Sequence, residues 1–260
     1  MQRVLFHETV FGPIHSRRLG VSLGINLSPN DGKTCTFDCL YCEAGYNEQG
    51  PGNSGLPSRE IVALSLEAKL SAMKIAGENL DVITFSGNGE PTMHPRFTDI
   101  IDDTIRLRDR YFPDVKISVL TNSTLLANDS VVNALLKVDN PIVKLDSAIP
   151  ETLAILDRPA RPSFCPSEAI KGIKRLGHKA IVQTMILRGT APDSTTIDNT
   201  TPAEVDALIN AIKEINPRGV MLYSIDRATP CQTLSKVGRE EMLQIARQME
   251  DAGIKNISVN

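Results

Sequence analysis

The chain has 260 residues, a net charge of -3, 41% hydrophobic and 23% charged residues. That composition belongs to a folded globular protein and excludes both a mainly disordered chain and the basic field of an indiscriminate nucleic-acid binder. No apolar run approaches the roughly 20 residues of a membrane span, and Met1 to Val10 lacks a signal peptide's apolar stretch, so a cytoplasmic protein with no membrane partner is expected. The length fits one domain over residues 1–260. Three of the five cysteines are clustered, which suits metal ligation better than a disulfide framework.

Val21 to Leu27 alternates apolar with smaller residues ahead of a Ser-Pro-Asn-Asp-Gly turn and is read as the first strand. A long loop follows, carrying Cys35, Cys39 and Cys42 with three and then two residues between them. Three thiolates on one loop hold three irons of a cubane 4Fe-4S cluster and leave the fourth open to a small ligand. A zinc site or a redox dithiol is the alternative, but Cys165 and Cys231 stand far away, and a dithiol leaves Cys35 unexplained.

Ser58 then caps a helix with Val62, Leu66, Leu70 and Met73 on one face and Gly77 at its end. Strand and helix are expected to alternate strictly from there: strands at 81–86, 115–120, 142–145, 180–186 and 219–225, and helices near 96–111 and 129–137. Another helix is capped by Thr201, with Pro202 first and Glu204 completing a capping box. A last helix carries Met242, Ile245, Ala246 and Met249, and 254–259 is a candidate closing strand. About six strands in this pattern predict an α/β fold, a partial (βα)6 TIM-like barrel open on one side; a doubly wound sheet is the alternative.

The chemistry-bearing residues fall just after strands, where an α/β barrel places its site. Gly87, Asn88, Gly89 and Glu90 follow the second strand, and a carboxylate among glycines suits an ammonium group. Asn122 and Asp146 end the next two strands, either lining the site or merely closing turns. His94 is assigned to the turn after Glu90. Tyr223 to Cys231 forms a candidate substrate lip, with Cys231 read chiefly as a small apolar group and Cys165 as a loop or helix-start cysteine. Arg17, Arg18 and Lys33 are a candidate local phosphate patch.

The cysteine loop and the Gly-Asn-Gly-Glu-Pro-Thr stretch resemble the motifs of the radical S-adenosylmethionine (SAM) superfamily. The runs Gly12 to Gly45 and Gln183 to Asn199 are similar to its branch related to wyosine-base (tRNA imidazoguanine) synthases. The family form is Gly-Gly-Glu, and Asn88 stands here for the first glycine. The resemblance implies a 4Fe-4S cluster on Cys35, Cys39 and Cys42 and SAM held by Gly87, Asn88, Gly89 and Glu90. It also implies a backbone contact from Tyr41 to adenine, with Asn122 and Asp146 near the ribose, carboxylate or substrate. The implied activity is reductive SAM cleavage to a 5'-deoxyadenosyl radical. Archaeal wyosine synthases carry cysteines upstream for a second cluster, whereas no cysteine precedes Cys35 here. The electron is therefore expected from a separate flavodoxin or ferredoxin. The expected substrate is tRNA, a small molecule or a peptide; a non-catalytic iron-sulfur or zinc scaffold is the reading from another class.

Overall fold

The computed structural model describes residues 3–16 and 19–260, so Arg17 and Arg18 lie outside the described residues. β1 (Val10–Ser16) runs antiparallel to β2 (Gly20–Ile25), and its register slips between Phe11 and Ile14. Pro13 is tolerated because an edge strand does not need every ladder donor. The Phe11 ring lies on Gly24, where an added Cβ would come within 2.1 Å of it. α1 (Arg59–Ala76) starts where Ser58 accepts from the Ile61 N–H and stops at Gly77, whose φ of 67° is left-handed. β3 (Val82–Phe85), α2 (Phe97–Tyr111), β4 (Lys116–Thr121), α3 (Asp129–Lys137) and β5 (Asn140–Lys144) continue the predicted alternation.

Strict alternation then fails. Two short helices, α4 (Pro150–Asp157) and α5 (Pro166–Lys174), separate β5 from β6 (Ile181–Met185), each opening on proline, whose missing N–H costs nothing in a first turn. Cys165 is the residue that precedes α5, as a helix-start cysteine should be. After β6 come β7 (Leu187–Thr190) and β8 (Thr196–Asp198), then α6 (Pro202–Ile215) and β9 (Gly219–Tyr223). β10 (Leu234–Lys236) pairs with β7, completing a separate antiparallel sheet of three strands. α7 (Arg239–Asp251) leads to β11 (Ile257–Val259). At the start of α6 the Thr201 hydroxyl accepts from the Glu204 N–H as expected, but the Glu204 carboxylate does not close a capping box. It accepts from Ser147 Oγ at 2.6 Å and from Thr152 Oγ1, tying α6 to the segment after β5.

Across the main sheet the order is β1-β2-β3-β4-β5-β6-β9-β11, parallel throughout except for β1. Each new parallel strand joins the same edge as its predecessor. A doubly wound sheet would reverse direction at a switch point, so this is barrel winding. β1 and β11 are the two ends of the order and, among the described residues, do not pair, which leaves the barrel open as expected. β3 and β6 are buried along their whole length, as parallel strands covered on both faces must be. Val62, Leu66, Leu70 and Met73 are the buried line of α1. Among the described residues no helix is long and apolar enough to cross a membrane.

Candidate metal and cofactor site

The cysteine loop is clasped by three neighbours. On one side Thr34 bridges Gly89: its N–H donates to the Asn88 carbonyl at 3.3 Å and its carbonyl accepts from the Glu90 N–H at 3.0 Å. On another, the Leu40 N–H donates to the Leu156 carbonyl and the Asp38 N–H to the Asp157 carbonyl, both at 3.0 Å, so the end of α4 holds the loop. From the lip, the Cys231 N–H donates to the Leu40 carbonyl at 3.3 Å. Inside the loop, Asn47 Nδ2 donates to the Cys35 and Phe37 carbonyls, and Lys33 Nζ donates to the Gly45 carbonyl at 2.8 Å and to Asp38 at 3.4 Å. Lys33 is only 3% exposed. This corrects its assignment to a phosphate patch: an ammonium used to close a loop from within cannot meet a backbone phosphate outside.

The Cys35 Sγ accepts from Asn122 Nδ2 at 3.5 Å. The Cys39 Sγ donates to Asp157 Oδ1 at 3.4 Å and accepts from Lys144 Nζ at 3.2 Å. Burial pushes the Cys35 thiol up to about 11, with the Glu90 carboxylate adding to it, and pushes Cys39 well above the ordinary thiol range. Each of these thiols also feels the charge of Cys42, and Cys39 that of Cys35, so the three share one electrostatic neighbourhood. Among the described residues no three Cys, His, Asp or Glu side chains already converge on one point, and the thiols make these hydrogen bonds instead. Buried thiols that resist ionisation become thiolates when a cationic centre replaces their protons. Three of them on one clasped loop fit a cluster held by three cysteines.

Beside Cys39 lies a buried polar knot that the sequence did not single out. Lys144 Nζ lies 3.2 Å from carboxylate oxygens of both Asp146 and Asp157 and sits 4.5 Å over the Tyr41 ring, while the Tyr41 hydroxyl donates to Asp146 and accepts from Lys144. Burial works against the Lys144 charge, but the two carboxylates outweigh it and hold its pKa well above the usual value. Burial raises Asp157 to about 7 in spite of Lys144, and its Oδ2 is buried without a partner. Asp146 also accepts from the Met185 N–H at 2.8 Å. Asp146 and Tyr41 were expected at the site, and the structure brings them together. Lys144 ends β5 in the same Lys-Leu-Asp-Ser run as Asp146, which is the signal that could have found it; Asp157 ends a helix that the sequence did not disclose.

Glu90 is 4% exposed, and burial raises its pKa although four donors reach it. Its Oε1 accepts from the Thr92 N–H and Oγ1 and from Thr121 Oγ1, and its Oε2 from the Asn122 N–H at 2.6 Å. Asn122 thus spans Glu90 and the cysteine loop, with Nδ2 also donating to Thr36 Oγ1 at 2.8 Å, while its Oδ1 accepts from the Thr124 N–H. Asn122 closes its turn and touches Cys35 and Glu90, two of the residues expected at the site.

The glycines serve protein packing. A Cβ on Gly89 would fall 1.9 Å from the Thr34 carbonyl oxygen, and Gly87, at φ 143°, lies against Asn26. The Asn88 side chain is fully buried and turned to the N-terminal segment, accepting from the Phe6 N–H at 2.8 Å and donating to the Phe6 and Pro29 carbonyls at 2.9 Å. Its side chain is therefore a tie between segments, so that any contact it makes to a ligand falls to its backbone. Asn88→Ala is expected to lose about 1–3 kcal/mol by leaving buried backbone groups unpaired, seen as a lower thermal midpoint at unchanged iron content. His94 does more than hold its turn: its Nε2 lies 2.9 Å from the Pro57 carbonyl and its Nδ1 accepts from the Arg96 N–H.

The lip and the loop enclose a cavity of about 120 Å³ lined by Tyr41, Glu43, Tyr223, Asp226, Arg227 and Lys236 among others. Arg227 donates to Glu43 at 2.7 Å across its rim. Cys231 is buried, its Sγ 3.4 Å from the Thr190 carbonyl and 3.1 Å from Thr233 Oγ1. It packs as the small residue it was read to be.

Residues 30–198 match the radical SAM superfamily. UPF0026 protein slr1464 of Synechocystis sp. is 32% identical over 228 residues, 86% of this chain and 77% of that protein. GTPase Obg of Brachyspira hyodysenteriae is 26% identical over 247 residues, 94% of this chain but 34% of that protein, so the chain spans about a third of this relative. A radical SAM methyltransferase from Sphaerobacter thermophilus superposes with TM-score 0.67 at 14% identity, over 92% of this chain and 65% of that one. Streptococcus suis SuiB bound to S-adenosylmethionine superposes with TM-score 0.64 at 16% identity, over 91% and 50%. TYW1 with a lysine-pyruvate adduct gives 0.63 at 12%, over 90% and 75%. At such identities these structures speak for the fold alone. The family match is a different matter, since it runs from before the cysteine loop to the end of β8 and takes in most of the chain: the protein belongs to the radical SAM superfamily, enzymes that use a 4Fe-4S cluster and S-adenosylmethionine, and within it to the UPF0026 proteins.

Proposed function

We propose that this enzyme holds a 4Fe-4S cluster on Cys35, Cys39 and Cys42 and binds SAM beside the Gly87–Glu90 turn. The observation that carries the reading is the bridge between Thr34 and Gly89, which fixes the cysteine loop to the glutamate turn so that both act as one unit. When bound, the cluster supplies one electron that cleaves the SAM sulfonium to methionine and a 5'-deoxyadenosyl radical. The chain's own groups prepare the place. Glu90 Oε2 accepts one protein hydrogen bond and has acceptor capacity left for the SAM ammonium. Asn122 keeps that carboxylate and Cys35 in register. Lys144 brings a positive charge to Cys39. The reduced donor is a separate flavodoxin or ferredoxin.

The test is anaerobic reconstitution followed by SAM titration of the reduced protein, read by electron paramagnetic resonance. A spectrum that changes with SAM is expected. Glu90→Gln should keep its iron and weaken SAM about ten- to a hundredfold, a charge-assisted contact being worth about 1.5–3 kcal/mol. One zinc, no iron and no response to SAM would overturn the reading in favour of a scaffold.

For the substrate, the cavity under the lip favours a small polar molecule or one residue of a peptide: it takes a side-chain-sized group, and Glu43, Asp226, Arg227 and Lys236 offer both signs of charge. A tRNA substrate loses Lys33 from its phosphate patch and is left with Arg17 and Arg18. In a salt series, the Arg17→Ala/Arg18→Ala variant is expected to show the same weak tRNA binding as wild type. A log-log salt slope smaller by about two would assign the substrate to tRNA instead.

A further inference from the structure

One face of the main sheet can be followed from strand to strand by its register: Thr84 pairs with Ser118, Ser118 with Asn140, Lys144 with Gln183, and Gln183 with Met221. Lys144 reaches the cysteine loop from this face, which therefore lines the inside of the barrel. Its polar side chains are satisfied by near neighbours. Ser22 Oγ lies 2.9 Å from Thr84 Oγ1, Asn140 Nδ2 donates to Ser118 Oγ at 3.0 Å, and Lys144 is held by Asp146 and Asp157. Gln183 stands apart. It is 8% exposed, and among the described residues its side-chain amide makes no hydrogen bond. Nor is that amide sealed in protein as the unpartnered Asp157 Oδ2 is, so it faces open space. A buried amide without a partner costs stability, and in a native structure it points to a ligand or a function.

The open space lies between two cavities. Ile181, two residues before Gln183 on β6, lines one of about 330 Å³ together with Gly219 and Met221. Met185, two residues after it, lines the cavity of about 120 Å³ under the lip, together with Tyr223. Residues two apart on a strand share a face, so Gln183 stands where one cavity gives way to the other. The upper cavity is the proposed substrate site. The Gly87–Glu90 turn, beside which SAM is placed, follows β3, three strands away and about 14 Å across the sheet. Gln183 therefore lies under the substrate and away from the SAM ammonium.

A glutamine side chain presents an acceptor oxygen and an N–H donor side by side, with no charge. We propose that Gln183 selects the substrate by pairing with an amide that enters the barrel between the two cavities, the polar end of the substrate lying in the upper cavity and an apolar group against Ile181 and Met221 in the lower one. The proposal rests on the substrate site under the lip and narrows its ligands to molecules that carry an amide, whether the peptide bond of a peptide or the carboxamide of a small molecule. An amide answers both sides of the glutamine at once, its N–H donating to Oε1 and its carbonyl accepting from Nε2. A hydrocarbon in the same place would leave both sides unpaired. An ionised group would be buried beside a side chain that cannot neutralise it, since Lys144, the charged neighbour in register, is already held by two carboxylates.

The experiment is calorimetric binding of matched probes to the anaerobically reconstituted enzyme with SAM present. Isocaproylglycine carries a peptide bond and is compared with the ester of isocaproic and glycolic acids; isocaproamide carries a free carboxamide and is compared with methyl isocaproate. Wild type is expected to bind at least one amide about tenfold more tightly than its ester, and the pair that shows the preference identifies the source of the amide. In Gln183→Met, which keeps the length and loses the amide, the preference should vanish. Iron content and SAM affinity should be unchanged and the thermal midpoint no lower, because no protein hydrogen bond is lost. A wild type that binds no probe, one that ranks amide and ester alike, or a preference that survives in Gln183→Met would overturn the inference. So would a fall in SAM affinity in Gln183→Met with the amide preference intact, which would give Gln183 to the cofactor. A wild type without iron that still prefers the amide would overturn the cluster and support the role of Gln183.

Discussion

Cys39→Ala, reconstituted anaerobically with iron and sulfide, is expected to stay colourless, with iron falling from about four per chain to background. Cys35→Ala and Cys42→Ala should do the same. The cause is the donor set: a cluster held by three thiols of one clasped loop keeps only two when one is removed. Cys39 is the most telling of the three because its removal also changes the knot around it. Lys144 keeps Asp146 and Asp157 as partners within 3.2 Å, so the fold should survive while the cluster does not. Cys165→Ala and Cys231→Ala are the controls. Cys165 stands at the start of α5 and Cys231 packs against Thr190 and Thr233, and both variants should retain full iron. Loss of iron in Cys231→Ala as complete as in Cys39→Ala would mean that the lip supplies a ligand.

Gly89→Ala is expected to be nearly as severe, although it removes no ligand. The added methyl would sit 1.9 Å from the Thr34 carbonyl oxygen and 2.5 Å from Ser28 Oγ, and the first of these is backbone that cannot swing away. Relief requires parting the glutamate turn from the cysteine loop, which breaks the Glu90 N–H to Thr34 bond as well. A cost of about 3 kcal/mol, the upper end for overpacking, should lower the thermal midpoint. Iron should drop sharply with all three cysteines present. Gly238→Ala is the matching control, since nothing lies within 4 Å of its added Cβ. A Gly89→Ala protein with wild-type stability and full iron would show that the two loops are not a unit.

The elements most legible in the sequence were those whose signals are local. α3 spans the expected residues because Asn128 caps it and Val131, Val132 and Leu135 repeat at helical spacing. The cysteine loop was legible for a similar reason, being a pattern complete within eight residues. β1 was missed because Pro13 and the slipped register break its period of two, and its existence depends on pairing with β2. α4 and α5 are too short for periodicity to separate them from turns. The contact of Lys144 and Asp157 with the cysteine loop was out of reach for another reason. Lys144 and Asp157 meet Cys39 across 105 and 118 positions of sequence, and only the winding of the strands joins them. Lys33 was misread: it looks like a phosphate contact in the sequence, and its ammonium is used by a backbone carbonyl that only the folded chain brings near, as the buried side chain of Asn88 is too.

The central claim is that the residues around Cys35, Cys39, Cys42 and Glu90 form a SAM-cleaving site. Its most direct measurement is the release of 5'-deoxyadenosine when the anaerobically reconstituted, chemically reduced protein is given SAM. Wild type is expected to release it, and Cys39→Ala to release none. A wild-type protein carrying about four irons that leaves SAM intact after reduction would contradict the account.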